Sequence, residues 1–272
     1  MKQNLLIFID FSRKLLKNRN MLKTMALREL KAAYVGSVFG LFWAVLYPLF
    51  QLAIYGIVFG VLFGARPGPG YGTESFFLFL FCGLVPWQFF SQTVKTAANV
   101  VVANRSLVKR ATGFSPEILP VVTVISSGIS HLIGMGLVII AQIVFAGKIS
   151  PLTPLFLVYM FFVSVLCVGL GWIVSSLNVY LRDVLQVINL VFMAWFYLTP
   201  IIYPPSIIPE KMLIIFQLNP LYHVIDGYRY IILAGKLPPV GGLLYLSVAS
   251  FISLAAGGLF FRKLKPGFAE VL

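Results

Sequence analysis

The chain has little charge and few residues suited to catalysis. Charged residues make up 11% of its 272 residues, and the mean hydropathy is +0.95. A soluble domain carries about 25% charged residues, so this chain cannot cover a surface that faces water. The eight acidic residues all fall in loops or at the ends of apolar runs. That placement excludes carboxylate proton relays inside a membrane, which are typical of proton-driven pumps.

Two cysteines, Cys82 and Cys167, lie inside apolar runs, and their spacing matches neither a disulfide framework nor a metal site. Phosphate-binding loops are also absent, because Gly147-Lys148 and Gly235-Lys236 lack both the upstream glycine and the following Ser or Thr. The two histidines, at positions 131 and 223, are interpreted as packed, hydrogen-bonded residues. We therefore predict no catalytic residue, no metal and no cofactor in this chain, and rank an intramembrane enzyme below a transporter.

Long apolar runs dominate the sequence. They lie at residues 35–64, 75–103, 116–146, 153–178, 185–201 and 241–261. A helix needs roughly 20 apolar residues to cross a hydrocarbon core of about 30 Å. The pattern predicts an all-α integral membrane protein with six transmembrane helices and both termini on one side.

The basic residues are unevenly distributed between the two sides of this topology. Sixteen of the 21 precede the first run, follow the last, or lie at or near the loops on the same side as the termini; Lys95 is counted with the loop after the second run. The positive-inside rule then places both termini in the cytoplasm and the protein in the cytoplasmic (inner) membrane. The net charge of +13 is interpreted as an orientation signal, not as a nucleic-acid footprint.

Residues 1–34 form a basic lead-in that lacks the apolar core of a signal peptide. Apolar residues recur on one helical face before residue 20, including Phe8 and Leu15, and Phe11 lies between them. This spacing predicts an amphipathic helix at the membrane surface, with a simple basic anchor as the alternative.

The region between the fifth and sixth runs is proline-broken but apolar. Residues 211–218 and 221–233 read as two short helices, split at Asn219-Pro220, and neither is long enough to cross a bilayer. We predict re-entrant or interfacial helices on the outer side; the alternative is an amphipathic surface loop.

Two aromatic groups and one basic loop each allow two interpretations. Aromatic residues recur at helical spacing at Phe39, Trp43, Tyr47 and Phe50, and they cluster at Phe192, Trp195 and Phe196. The side chains of each group either pack inside the protein, which we favour on sequence alone, or form the wall of a pore that stacks on the flat faces of sugars. Residues 104–110 either carry orientation charge or form a short helix that docks on a cytoplasmic partner.

Three segments together resemble one family. They are Arg28-Glu29-Leu30-Lys31 with the following Tyr34, Ser37, Gly40, Trp43 and Pro48; RDVLQVINLVFMAWFYLTPIIYP at 182–204; and NPLYHVIDGYRYIIL at 219–233. Over essentially its whole length the chain resembles the permease subunits of ABC-2 type exporters for polysaccharides and polyol phosphates, which include O-antigen, capsule and teichoic acid transporters. Glu29 and Thr199 depart mildly from the family pattern, where Asp and Ser are expected.

The resemblance implies a homodimer of the membrane domain (35–272) that works with two separate ATPase subunits, which bind ATP and Mg. The implied substrate is a lipid-linked polysaccharide; teichoic acid, drugs and small lipids are the alternatives. It also implies an ATPase interface helix with Phe8, Phe11 and Leu15, and a coupling helix near 104–113. The coupling residues are Arg105, Ser106, Leu107, Val108, Lys109 and Arg110.

Two further roles follow from the same resemblance. A channel between protomers is expected to be lined by Phe39, Trp43, Tyr47, Phe50, Phe192, Trp195 and Phe196. An outer gate hairpin near 202–233 is expected to include Tyr203, Asn219, Pro220, Tyr228 and Arg229.

Overall fold

The computed structural model describes residues 19–32, 39–110 and 114–272, and in these residues every regular element is a helix. The α-helices are α1 Arg19–Ala32, α2 Trp43–Tyr55, α3 Phe76–Ala103, α4 Arg105–Arg110, α5 Ile118–Ala146, α6 Phe156–Tyr180, α7 Val184–Tyr197, α8 Glu210–Gln217, α9 Pro220–Arg229, α10 Val240–Leu264 and α11 Phe268–Val271. Short π-helical turns, Gly56–Leu62 and Tyr230–Ala234, extend α2 and α9. The predicted all-α membrane class is confirmed.

Five helices in the described part of the chain are long and apolar enough to cross a membrane: Trp43–Leu62, Phe76–Ala103, Ile118–Ala146, Thr153–Tyr180 and Val240–Gly267. The remaining apolar helix, α7, has 14 residues. At 1.5 Å per residue it is about 21 Å long, shorter than a hydrocarbon core of about 30 Å. The count of six spans therefore stays a prediction.

Helix α3 forms the centre of the bundle and is largely buried, whereas α2 is mostly exposed. Around α3 pack α5, α6, α7 and α9. Helices α6 and α10 pack closely against each other: a Cβ added at Gly257 would lie 2.1 Å from the carbonyl oxygen of Gly169. Small residues of this kind let two membrane helices approach backbone to backbone.

One end of the bundle, here called the α4 end, gathers α1, α4 and the C-terminal segment. Leu22 and Ala26 of α1 pack against Ile118 at the start of α5. The Lys265 ammonium lies 2.7 Å from a Glu117 carboxylate oxygen. The other end, the α9 end, carries α8, α9 and the loops between the helices there. Residues Phe8, Phe11 and Leu15 of the predicted interface helix, and residues 111–113 of the predicted coupling segment, lie outside the described residues.

Candidate functional site

A polar stripe runs along one face of α3. Gln88, Ser91, Gln92 and Lys95 recur three and four residues apart, so a helix brings them to the same side. These side chains face α2 and α7, the two least buried apolar helices beside α3. In a membrane helix, such a stripe faces protein or a water-filled cavity and not lipid.

Two adjoining cavities lie along this stripe and form what we call the groove. One, of about 190 Å³, lies between α2, α3 and α5, and the other, of about 230 Å³, lies between α2, α3 and α7. Tyr47, Gln88 and Gln92 line both cavities. Aromatic rings form much of the rest of the wall, from Trp43, Tyr55, Trp87, Phe192, Phe196 and Tyr197. The groove therefore combines flat apolar faces with uncharged hydrogen-bonding groups and one cation, Lys95.

One hydrogen bond between two glutamines links the helices that form the groove. The Gln88 amide donates to the Gln51 side-chain oxygen at 2.5 Å, joining α3 to α2. Gln92, one turn further on, is exposed in the groove, as is Asn189 on α7. The wall thus offers amide donors and acceptors to a bound molecule.

The structure divides the predicted channel-lining residues into three groups. Trp43, Tyr47, Phe192 and Phe196 line the groove. Phe39 and Phe50 are exposed at the bundle surface and line neither cavity. Trp195 is half-buried, packs on Phe90 and Phe192, and donates its indole N–H to the Asn219 side chain at 2.9 Å. Their role in a channel stays a prediction.

Lys95 lies at a depth that the sequence analysis did not anticipate. It was counted with the loop after the second run, but it is eight residues before the end of α3. Its ammonium is 5.5 Å from the centroid of the Phe192 ring, inside the groove. Gln88 and Gln92 were not among the predicted site residues; their spacing relative to Lys95 was the signal that could have identified them.

At the α9 end, Arg229 is fully buried and fixes the turn after α7. Its guanidinium donates to the carbonyl oxygens of Pro200 and Ile201, each at 2.7 Å, and to that of Phe79 at 3.3 Å. The guanidinium carbon also lies 3.5 Å from the centroid of the Phe79 ring. One side chain therefore ties three separate segments together.

Asn219 ties the same turn to α9. Its side-chain oxygen accepts from the Leu221 backbone N–H at 3.0 Å, capping α9, and its amide donates to the Thr199 hydroxyl at 2.8 Å. Pro220 is the first residue of the helix, where its missing N–H has no cost. We call Phe79, Thr199, Pro200, Ile201, Asn219 and Arg229 the hairpin lock.

The other predicted gate residues lie on either side of the hairpin lock. The Tyr203 hydroxyl donates to the Tyr197 carbonyl oxygen at 2.5 Å. The Tyr228 hydroxyl lies 2.9 Å from Nε2 of His131, which matches the packed role expected of that histidine. Beside them the Tyr71 hydroxyl donates to the Asp226 carboxylate at 2.6 Å. Burial raises the pKa of Asp226, and this hydrogen bond and the Arg229 charge oppose that rise. A gating role for these residues stays a prediction.

The predicted coupling residues form α4, a short amphipathic helix. Arg105, Ser106 and Lys109 are exposed, whereas Leu107 and Val108 are half-buried. Val108 packs on a core cluster that includes Val101 and Phe268. The side chain of Arg110 is outside the described part of the chain. The helix thus presents a basic face to the exterior and is anchored by its apolar face.

Glu29, the departure from the family pattern in the first segment, lies against α5. Its carboxylate is hydrogen-bonded to the Thr123 side chain, and burial raises its pKa despite that bond. Within residues 19–32, 39–110 and 114–272, no three His, Cys, Asp or Glu side chains come together to hold a metal ion.

Comparison with known proteins identifies the family. The model of the ABC-2 type transporter family matches residues 20–233. This chain belongs to that family. An O-antigen export system permease protein (RfbA) from Klebsiella pneumoniae is 31% identical over 90% of this chain and 92% of its own length.

Two further relatives align over most of the chain. An O-antigen export permease (RfbA) from Myxococcus xanthus is 27% identical over 96% of this chain and 99% of its own length. A polysialic acid transport protein (KpsM) from Escherichia coli is 24% identical over 88% and 92%, respectively. The chain is therefore similar over nearly its full length to proteins named as O-antigen export permeases and as a polysialic acid transport protein.

Proposed function

We propose that this chain is the permease subunit of an ATP-driven exporter that moves a lipid-linked polysaccharide of the O-antigen type across the cytoplasmic membrane. The observation that carries the proposal is the groove, taken with relatives named as O-antigen and polysialic acid transport proteins. On this proposal the α4 end faces the cytoplasm and the α9 end faces outward.

The chemistry of the groove fits a chain of sugar units. The apolar C–H faces of a sugar ring stack on flat aromatic side chains such as Trp43, Tyr47 and Phe196. Amides such as those of Gln88 and Gln92 exchange hydrogen bonds with sugar hydroxyls. None of these contacts is a strong charge pair, so successive units are held weakly, and a polymer in transit must bind each position only briefly.

A second copy of the chain is the partner that would close the groove. Helices α2 and α7 flank it and leave large apolar side chains exposed, including Phe50, Leu190 and Met193. A contiguous exposed apolar surface marks contact with lipid or another protein. We place the channel between two protomers, with these helices at the seam.

ATP hydrolysis is assigned to two separate ATPase subunits that dock at the α4 end. The exposed basic face of α4 is the proposed contact, and its half-buried face carries movement into the helices it packs on. Closure of the ATPases would push on α4 and change the width of the seam between protomers.

The test is deletion of the gene in its own host, followed by extraction of glycan from the cell surface and from the cytoplasmic leaflet. The proposal expects loss of surface glycan, accumulation of lipid-linked glycan inside, and rescue by the wild-type chain. Unchanged surface glycan with altered drug sensitivity would contradict it and favour an exporter of small lipids or drugs.

A second test addresses the ATPase partner. The tagged chain is purified in mild detergent, and co-purifying proteins and ATPase activity are measured. The proposal expects a stoichiometric ATPase with a phosphate-binding loop. A chain that purifies alone, without ATPase activity, would contradict the proposed mechanism.

A further inference from the structure

Lys95 is the one charged side chain in the interior of the described spans. The other basic residues in these spans, Arg262, Lys263 and Lys265, lie at the end of the last one. Lys95 lies about 12 Å along α3 from its end, at 1.5 Å per residue. An ionisable side chain at such a depth is costly, and it is typical of a functional site.

The ammonium of Lys95 points into the groove and not toward the end of the helix. Its nitrogen lies 5.5 Å from the centre of the Phe192 ring. Phe192 is the ninth residue of α7, counted from Val184 at the α4 end. A lysine that extended its stem to reach the membrane surface would place its ammonium near the first turn of α7 instead. The charge is thus held at the level of the groove.

Among the residues that the structure describes, no carboxylate balances this charge. In the described residues 19–32, 39–110 and 114–272 the ion pair within 4 Å joins Lys265 to Glu117, far from the groove. The side chains that share the cavity with Lys95 are amides, hydroxyls, rings and one thioether, and none carries a negative charge. A buried or half-buried charge is ordinarily paired, so the absence of a countercharge here points to a ligand that supplies one.

We infer that the Lys95 ammonium binds the phosphate or pyrophosphate group through which the substrate is joined to its polyprenyl lipid. This inference rests on the proposed function, because it assigns a binding residue to the same groove. Gln92 and Asn189, which line the same cavity, offer amide N–H donors to the remaining phosphate oxygens. The Phe192 ring holds the lysine in place through its π face.

Charge determines which part of the substrate binds at Lys95 and which part binds along the rest of the groove. A neutral sugar gains little from an ammonium, whereas a phosphate forms charge-assisted hydrogen bonds that are roughly twice as strong as neutral ones. Lys95 therefore recognises the one anionic part of the substrate. The aromatic and amide wall accommodates the sugar chain that follows it.

The test measures equilibrium binding to the full chain, with its co-purified ATPase, in nanodiscs of phosphatidylcholine. The probes are farnesyl pyrophosphate, inorganic pyrophosphate and farnesol. We expect Lys95→Gln to weaken farnesyl pyrophosphate binding by about tenfold or more, and Lys95→Arg to stay within about threefold of wild type. Lys236→Gln, the same change at an exposed lysine of the α9 end, is the matched control and leaves binding unchanged.

Three arms separate the sources of the anion. Tight binding of farnesyl pyrophosphate that depends on Lys95, with weak binding of inorganic pyrophosphate, supports a lipid-linked group. If farnesyl pyrophosphate and inorganic pyrophosphate bind with equal affinity, and both depend on Lys95, the result supports the anion site and assigns it to a free phosphate. Competition by nanodiscs that contain phosphatidylglycerol supports the site with a lipid headgroup as its occupant. Farnesol binding as tight as farnesyl pyrophosphate, or equal affinities for wild type and Lys95→Gln, overturns the inference.

Two further variants show whether weaker binding by Lys95→Gln is caused by misfolding of the protein. Lys95→Met keeps the long apolar stem against Phe192 while removing the charge, and it should match Lys95→Gln. Asn189→Asp places a negative charge in the groove at an exposed position and should also weaken binding by about tenfold. Wild-type affinity in Asn189→Asp contradicts the inference.

The same variants distinguish failure of this inference from failure of the proposed function. If the gene deletion leaves surface glycan intact, the proposed function fails, whatever Lys95 binds. If the deletion removes surface glycan but Lys95→Gln exports and binds normally, only the assignment of Lys95 fails.

Discussion

Two cations in this protein lie beside phenylalanine rings and have opposite surroundings. Arg229 is fully buried, and its guanidinium donates to three backbone carbonyl oxygens above the Phe79 ring. Lys95 lies beside Phe192 in an open groove, with no carboxylate partner in the described part of the chain. The protein itself supplies hydrogen-bond acceptors to the Arg229 guanidinium. The Lys95 ammonium has N–H groups available for a ligand.

This difference distinguishes a structural role for Arg229 from a binding role for Lys95, although both are basic residues in the sequence. A cation that donates to several buried backbone carbonyl oxygens fixes a fold, and removing it leaves buried acceptors without partners. A cation with unused donors in a groove binds something that is not part of the chain. Mutations that distinguish the two should therefore divide cleanly between loss of stability and loss of transport.

The largest effect on stability is expected for Arg229→Met. It leaves the carbonyl oxygens of Pro200 and Ile201 buried without donors, at about 1 to 3 kcal/mol each, and removes a further hydrogen bond to the Phe79 carbonyl oxygen, so the total loss should exceed about 3 kcal/mol. Thermal unfolding of the purified protein, with the yield of monodisperse protein, is the measurement.

Two variants control for this result. Arg229→Lys should recover little, because a single ammonium cannot reproduce a planar fork of donors. Arg66→Met, at an exposed arginine of the α9 end, should leave the Tm unchanged. A stable Arg229→Met protein would show that the hairpin lock is not a structural element.

A smaller loss of stability is expected for Asn219→Ala, which removes the cap of α9 and the bonds to Trp195 and Thr199. The expected loss is about 2 kcal/mol, from one N-cap and the hydrogen bonds to its amide. Asn219→Ser keeps a capping oxygen and should lie between wild type and Asn219→Ala. Identical unfolding of all three would refute the role given to Asn219.

Gln88→Ala tests whether the groove contributes to transport and not to stability. It removes the bond to Gln51, and interhelical hydrogen bonds in membranes are worth about 0.6 kcal/mol on average, so the Tm should change little. Export of surface glycan should fall, because the groove loses an amide that faces both cavities. Gln186→Ala, on α7 but outside the cavities, is the control. Normal export by Gln88→Ala would mean that the groove is not the path.

The smallest effect on the fold is expected for the double reversal Arg105→Glu with Lys109→Glu. Both side chains are exposed on α4, so the free energy of unfolding should change by less than about 0.5 kcal/mol. ATPase activity that depends on the permease, and export with it, should fall because the basic docking face is lost. Unchanged transport would refute the coupling role of α4.

Sequence reasoning located the helices well because their apolar runs are long. The runs predicted at 75–103 and 116–146 match α3, Phe76–Ala103, and α5, Ile118–Ala146. The break at Asn219-Pro220 was also predictable, since proline restricts the residue before it. These features depend on local sequence alone.

Contacts between residues that are far apart in the chain could not be predicted from the sequence. Tyr228 and Arg229 are neighbours in the chain, yet one contacts His131 and the other Phe79, Pro200 and Ile201. Lys95 was counted with the nearby loop because a positive charge near the end of an apolar run is ordinarily an orientation signal. Only packing against α7 shows that its ammonium stays in the groove.

The most direct measurement compares Arg229→Gln and Lys95→Gln side by side, recording the Tm of each purified protein and the surface glycan of cells that carry it. We predict that Arg229→Gln loses stability and export together, whereas Lys95→Gln keeps a wild-type Tm and loses export. Equal loss of stability in both variants, or normal export by Lys95→Gln, would contradict the division between a structural cation and a binding one.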